Sequence, residues 1–474
     1  MAIEGTSEKR ERRIRLGMVG GGSGAFIGAV HRIAARIDDH YELVAGALSS
    51  TPEKAESSGR ELGLDPSRVY SDFKQMAIRE AKLKEGIEAV AIVTPNHVHY
   101  AAAKEFLKRG IHVICDKPLT STLGDAKKLK KAADESDALF VLTHNYTGYP
   151  MVRQAREMVA NGEIGAVRLV QMEYPQDWLT ENIEQSGQKQ AAWRTDPARS
   201  GAGGSTGDIG THAYNLGAFV SGLELEELAA DLDSFVGGRQ LDDNAHVMMR
   251  FKAKDGERAK GLLWCSQVAP GHENGLMVRV YGTKGGLEWT QKDPNYLWYT
   301  PFGEPKRLLT RAGAGAGAAA NRVSRIPSGH PEGYLEGFAN IYAEAARAIF
   351  AKRKGEKIDP AVTYPTIDDG MKGMVFVDAC VQSSKRNGAW VRYSRRPIPA
   401  EGRGFPALFR ELTFAGMDLG RPATNQKPRS RWQRGRNETR QRDDRSQDPG
   451  RALPGRFRIR GGDRLLPDRR RDQS

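Results

Sequence analysis

The chain has 474 residues, enough for two or three domains around a sizeable core. Three widely spaced cysteines (Cys115, Cys265, Cys380) argue against a disulfide framework and fit buried thiols in a reducing, cytoplasmic compartment, and no run of about eighteen apolar residues is present to span a membrane. The net charge of +13 misleads, because residues 396–474 alone hold 19 Arg, one Lys and ten acidic side chains, leaving a nearly neutral body whose charge says little about its ligands.

Residues 1–13 are charged, lack the apolar core of a secretory signal and read as a flexible N-terminus. Residues 14–20 then form a buried apolar strand, 21–23 a turn and 26–37 a helix by their periodicity. Strands follow at 41–48, 89–94, 111–115 and 138–143, with helices at 98–109 and 123–136 between them. Strands alternating with helices predict a parallel sheet, ending near residue 145.

After a helix at 151–161 the pattern changes. Strand-like runs at 167–174, 227–236, 246–252, 259–268, 276–281 and 286–290 predict a mostly antiparallel open sheet. Helices at 208–220, 332–352 and 367–384 complete an α+β domain over residues 146–395. The Ala/Gly-rich stretch 312–320 reads as a flexible surface loop. From residue 396 the periodicity stops and lysine almost disappears. Three readings compete for this tail: a disordered extension, an Arg-rich nucleic-acid arm, and the product of a shifted reading frame in a GC-rich gene. The abrupt loss of lysine favours the last, so no nucleic-acid partner is expected.

Two groups of residues carry the chemistry. Gly20-Gly21-Gly22-Ser23-Gly24-Ala25 fits G-x-G-x-x-G/A between a strand and a helix, the setting a dinucleotide fingerprint requires. Gly20 permits the tight turn, Gly22 lets backbone approach a pyrophosphate, and Ala25 allows close helix–strand packing; Gly24 adds room. The second strand runs into Ser49-Ser50-Thr51, with neither the carboxylate that grips an NAD ribose nor an arginine for a 2′-phosphate. NAD and NADP both remain candidates. Thr94-Pro95-Asn96 follows the 89–94 strand at the sheet edge where ligands bind, and Asn96 also reads as a helix N-cap. His97 and His99 are not spaced as a metal pair, and no metal is assigned.

The second group is Asp116-Lys117-Pro118, closing a buried strand, with Gly207-Asp208-Ile209-Gly210-Thr211-His212. Asp208 and His212 stand four apart, on one helix face. A lysine, a histidine and an orienting carboxylate can move a proton and steady a developing oxyanion. Separately, each has a bland reading as a solvated strand-end lysine or a surface helix pair.

Taken in order, these motifs resemble the glucose–fructose oxidoreductase / inositol dehydrogenase / MocA (Gfo/Idh/MocA) family. The resemblance rests on Gly20 to Ala25, Thr94-Pro95-Asn96 with His99, Lys117-Pro118, Gly203-Gly204 leading to Asp208-x-x-x-His212, and His330-Pro331-Glu332-Gly333-Tyr334, and it runs from about Ile14 to Tyr393. It implies an α/β chain: an N-terminal Rossmann NAD(P)-binding domain over residues 14–145, then the α+β domain, whose sheet commonly makes homodimers or homotetramers. Two departures stand out: Asp116 replaces the usual glutamate before the lysine, and Ser49 replaces a frequent acidic residue.

The resemblance further implies hydride transfer between nicotinamide C4 and a carbinol carbon of a sugar, cyclitol or related polyol. His212 is then the general base, Lys117 steadies the alkoxide, and Asp208 tunes the pair. Thr94, Pro95, Asn96, His99, Asp116 and Lys117 accompany Gly20, Gly22, Ser23, Gly24, Ala25, Ser49 and Ser50 in holding the cofactor. Asn145 and Tyr146 face the substrate cleft by the same analogy, and Trp193-Arg194 offer an aromatic face and a donor fork suited to a polyol. His330 either reaches the cleft or caps the following helix. Two other readings keep this scaffold: a redox-neutral, NAD-retaining glycosidase-type enzyme, and a non-enzymatic NAD(P)-binding sensor.

Overall fold

The structure, a computed structural model, describes residues 11–253 and 256–393. The proposed tail at 396–474 and most of the N-terminal stretch 1–13 lie outside the described residues.

Five short apolar strands build the first sheet. They are β1 (Ile14–Gly20), β2 (Tyr41–Ala47), β3 (Ala89–Val93), β4 (His112–Cys115) and β5 (Phe140–Leu142), ordered β2-β1-β3-β4-β5 and all parallel. β3 is buried at every position, as a parallel strand covered on both faces should be. The register sets Gly20 beside Val93, Ile92 beside Cys115, and Cys115 beside Leu142. Segments starting at Gly21, Thr94, Asp116 and Thr143 therefore leave the sheet at one edge, which is how residues far apart in sequence come to share one site.

The second sheet has nine strands: β6 (Val167–Pro175), β7 (Leu225–Asp233), β8 (Asn244–Phe251), β9 (Lys260–Ser266), β10 (Met277–Gly282), β11 (Gly285–Thr290), β12 (Tyr296–Pro301), β13 (Arg307–Thr310) and β14 (Val391–Arg392). Their order is β13-β12-β11-β10-β6-β9-β8-β7-β14. Pairing is antiparallel except between β6 and β9, so the sheet is mixed. Alternation decides its faces. Val247, Met249 and Phe251 of β8 enter a core shared with the helices Pro150–Ala160, Thr211–Ser221 and Ile367–Lys385, whereas Met248, Leu262 and Trp298 stay exposed on the opposite face.

Several expectations change. The 312–320 stretch is no free loop: Gly317 N–H donates to Gln154 Oε1 at 2.6 Å, Ala319 N–H to Glu157 Oε2 at 3.2 Å, and Ala320 is the buried residue of a short helix, Ala318–Asn321. Asn96 does not cap its helix. The helix Asn96–Leu107 starts at that residue, and the side chain donates instead to the Ser200 carbonyl at 3.0 Å. The helices Pro52–Glu61 and Phe73–Glu80 and the strands β12 and β13 lie outside the sequence expectations. The two helices are too polar and β13 too short for periodicity to register, whereas β12, YLWYTP, carries a usable apolar signal that sequence reasoning missed. Cys115, Cys265 and Cys380 are buried free thiols. Among the described residues, no helix is long and apolar enough to cross a membrane.

Candidate active site

A cleft of about 900 Å³ opens at the exit edge of the parallel sheet. Gly20 and Gly21 line it with φ of 78° and 72°, a left-handed turn that side chains resist. A Cβ on Gly28 would lie 2.4 Å from Gly21 Cα, so the closest helix–turn approach falls at Gly28, three residues beyond Ala25. Ala25 lines the cleft and precedes the helix Phe26–Ile37, which has no side-chain cap. Its free N–H groups suit an anion.

Gly22, Ser23 and Gly24 do not line the cleft. Gly22 packs against the Leu48 carbonyl, and Ser23 N–H donates to Ser58 Oγ at 3.0 Å. Ser49 and Ser50 line the far end, and Thr94, Pro95 and Asn96 line the wall beside the turn. His99 is buried below, its ring nitrogens 2.8 Å from the Pro118 carbonyl and 2.9 Å from that of Thr94. It pins two site segments together without facing the cleft.

Lys117 leaves the end of β4. Its Nζ donates to the Asp208 carbonyl and, at 2.8 Å, to Asp208 Oδ1. The other carboxylate oxygen, Oδ2, accepts from Arg194 Nε at 3.2 Å and Gln267 Nε2 at 3.0 Å. Burial opposes ionisation of Asp208, but the charges of Lys117 and Arg194 and these hydrogen bonds prevail and hold the carboxyl well below its usual range. Asp116 accepts from Thr143 Oγ1 at 2.9 Å and from the Lys117 backbone N–H at 3.0 Å, fixing the lysine's own backbone.

A π-turn, Thr206–Gly210, carries Asp208 and runs into the helix Thr211–Ser221 that carries His212; both side chains line the cleft. The turn is anchored by Asp242, whose carboxylate accepts at 2.7 Å from Gly204 N–H, Ser205 Oγ, Thr206 N–H and Thr206 Oγ1. His212 Nδ1 lies 3.5 Å from His144 Nδ1, and the Tyr146 ring packs edge-on against the imidazole at 4.8 Å. Burial, then Lys117 and His144, pushes the His212 pKa well below the ordinary value, so the ring is neutral at pH 7.

Asn145 and Tyr146 both reach the cleft. Asn145 is 2% exposed and its Nδ2 has no hydrogen-bond partner among the described residues, while the Tyr146 hydroxyl pairs with that of Tyr174. Trp193 and Arg194 also line it, the guanidinium 4.3 Å from the indole centroid, but Arg194 is already committed to Asp208 and Gln190. His330 is exposed on a loop held by Arg311 and does not line the cleft. Gln267, His144, Tyr174 and Trp178 had not been singled out. Each follows or ends a strand, or sits in a loop, with no motif to mark it.

The cleft fits a dinucleotide. A Cβ on Gly20 would stand 2.9 Å from the Val93 carbonyl, so only glycine fits that turn, and the buried Thr94 Oγ1 and Asn145 Nδ2 lack a hydrogen-bond partner among the described residues. Known proteins agree. Residues 14–144 match the family described as "Oxidoreductase family, NAD-binding Rossmann fold", and residues 152–288 match "GFO/IDH/MocA C-terminal domain". An uncharacterized oxidoreductase of Bacillus subtilis, YfiI, is 36% identical over 384 residues, covering 80% of this chain and 97% of that protein.

The chain belongs to the GFO/IDH/MocA family. The crystal structure of an oxidoreductase from Sinorhizobium meliloti is 84% identical, with a TM-score of 0.73 over 80% of this chain and all of that one. That of an inositol dehydrogenase homolog from Azotobacter vinelandii, complexed with NADH and myo-inositol, is 36% identical with a TM-score of 0.75, covering 81% of this chain and 98% of that one. This GFO/IDH/MocA member is accordingly an NAD(P)-dependent oxidoreductase.

Proposed function

We propose that the enzyme transfers hydride between nicotinamide C4 and a carbinol carbon of a sugar, cyclitol or related polyol, with Lys117, Asp208 and His212 as its proton-handling group. The observation that carries this reading is the Lys117–Asp208 pair at 2.8 Å in the same cleft as neutral His212 and the glycine turn. In the direction of oxidation, bound NAD(P) supplies the hydride acceptor. His212 takes the hydroxyl proton, and neutrality is what equips it to do so. Two Lys117 donors go to Asp208, which leaves the third N–H for the substrate oxygen, where it stabilises alkoxide character. Asp208 acts through the lysine, its ionised carboxylate keeping the ammonium charged and aimed.

Gly20, Gly21, Ala25, Ser49, Ser50 and Thr94 are assigned to the dinucleotide, and Asn145, with its free amide, to the substrate or nicotinamide side. The myo-inositol complex of the Azotobacter homolog supports a cyclitol or sugar as substrate class. Residues 14–145 form the nucleotide domain and 146–395 the substrate domain in this reading. The adjacent exposed side chains Met248 and Leu262, with Trp298 farther along the same face, support homo-oligomer contact through the second sheet, and the buried thiols support a cytoplasmic location.

The test is reduced-nicotinamide absorbance with NAD and then NADP against inositols, aldoses and their lactones, in both directions. Turnover of one polyol that disappears in Lys117→Met supports the reading. Release of free sugar from a glycoside without net cofactor reduction would replace it with redox-neutral chemistry.

A further inference from the structure

Beyond the lysine, carboxylate and histidine lies a second imidazole with no assigned role. His144 follows β5, is 2% exposed and does not line the cleft. Its backbone holds it firmly: its N–H donates to the Leu142 carbonyl at 2.9 Å, and its carbonyl accepts from Thr147 N–H at 3.2 Å and Thr147 Oγ1 at 2.9 Å. Its ring stands nearly perpendicular to that of His212, at 81°, with the two Nδ1 atoms 3.5 Å apart.

Two imidazole nitrogens share a hydrogen bond only when one carries a proton and the other a lone pair. We infer that His144 is a positioning residue, whose Nδ1 lone pair accepts from His212 Nδ1–H and so fixes the tautomer in which His212 Nε2 is the free base. The inference rests on the reading of His212 as general base. The partner of a catalytic histidine sets which nitrogen is basic, and here that partner is a neutral ring where other enzymes use a carboxylate. Burial pushes the His144 pKa down to about 4, in keeping with a ring that accepts without taking the proton. When the carbinol proton reaches His212 Nε2, the Nδ1–H···Nδ1 bond becomes charge-assisted. A neutral acceptor stabilises that imidazolium less than a carboxylate does, so the proton leaves readily. The other ionisable groups around the two rings are Lys117 after β4, Tyr146 after β5, Tyr174 on β6 and Asp208 one turn before His212, with Asp116 and Asp369 acting on His144 through charge.

The test replaces His144 by Asn, Gln and Leu. Asparagine sets a carbonyl oxygen where Nδ1 stands; glutamine is as polar but reaches the Nε2 position; leucine offers no acceptor. Loss of an orienting partner typically costs about 10–100-fold, so kcat should fall by that factor in His144→Leu and His144→Gln, with KM and dinucleotide affinity unchanged. His144→Asn should restore most of it. Nuclear magnetic resonance of isotope-labelled histidine rings should report the Nδ1–H tautomer of His212 in the parent and in His144→Asn, and a tautomer mixture in the other two. Dinucleotide titration confirms that each variant is folded, and the ring signature needs no activity at all. Parental kcat and an unchanged His212 tautomer in His144→Gln would overturn the role of His144. Full turnover in a parallel His212→Ala variant would instead overturn the general-base reading beneath it.

Discussion

Lys117 and Asp208, 91 residues apart, meet through two contacts, the lysine ammonium donating to both the backbone carbonyl and the carboxylate of the aspartate. The pair joins the edge of the parallel sheet to the turn that opens the His212 helix. Lys117→Met should therefore lower kcat by about 10²–10⁴-fold, the usual span for a proton-handling group. Dinucleotide affinity, measured by fluorescence titration of the reduced cofactor, should stay within about threefold if the lysine serves chemistry and not binding.

Gly28→Ala should harm the nucleotide site without touching its ligand. The added methyl would meet Gly21 Cα at 2.4 Å and the Gly21 carbonyl oxygen at 2.5 Å, and backbone cannot swing aside as a side chain can. We expect a stability loss of about 1–3 kcal/mol in denaturant unfolding, with weaker cofactor binding. Gly24→Ala is the control. Its φ of 78° is one that side chains resist, unlike that of the helical Gly28, but no atom lies within 4 Å of the new methyl, so only the backbone term of about 1–2 kcal/mol applies.

Ser49→Asp should sharpen cofactor choice. Ser49 lines the cleft just beyond β2, where a carboxylate would bond a ribose 2′-hydroxyl and repel a 2′-phosphate. The ratio of kcat/KM for NAD over NADP should rise at least about tenfold, about 1.4 kcal/mol. An unchanged ratio would place the adenosine ribose elsewhere.

Asp242→Ala removes one acceptor from four donors on Gly204, Ser205 and Thr206. The site is half-buried, so water satisfies part of the set, and we expect a loss of about 2–4 kcal/mol by thermal or denaturant unfolding. Because the same turn carries Asp208, kcat should fall too, whereas Asp242→Asn, which keeps an acceptor, should lose less of both.

Stability should fall with pH well above the carboxylate range. Burial pushes His31, His112 and His144 down to about 4. All are neutral in the fold, and each gains a proton on unfolding below its ordinary value of about 6.5. The unfolded state binds more protons between those limits, so the unfolding midpoint should drop as pH falls from about 6.5 to 4. Asp208 acts lower: its depressed pKa gives stability that is present above about 3.9 and lost as pH falls further. His31→Gln or His112→Gln should flatten the upper slope and leave the lower one.

Much of this was legible in one dimension. β1 and the helix Phe26–Ile37 coincide with their expected bounds, because an unbroken apolar run and a 3.6-residue period are local signals. Gly20 makes the tight turn its motif calls for, but the close helix–turn approach falls at Gly28 and not at Ala25, and Gly22 lies off the cleft. Local order misleads where a partner lies far away. Asn96 reads as a cap, yet bonds Ser200; Arg194 reads as a free donor fork, yet is held by Asp208; the Ala/Gly stretch reads as loose, yet Gln154 and Glu157 hold it.

By itself, the sequence determined the order of the strongly patterned strands and helices, the glycine turn and the residue types needed for proton transfer, since backbone sterics and hydrophobic period act over a few residues. Only the tertiary structure decided what those residues touch. The common exit edge of β1, β3, β4 and β5 gathers Gly20, Thr94, Lys117 and Asn145, and the folded turn brings Asp208 to the lysine. His99, equally prominent as a motif, is turned into the interior, and His144 is set against His212. Such contacts join residues tens to a hundred positions apart, and hydrogen bonding and burial at that range depend on packing, which no local pattern encodes.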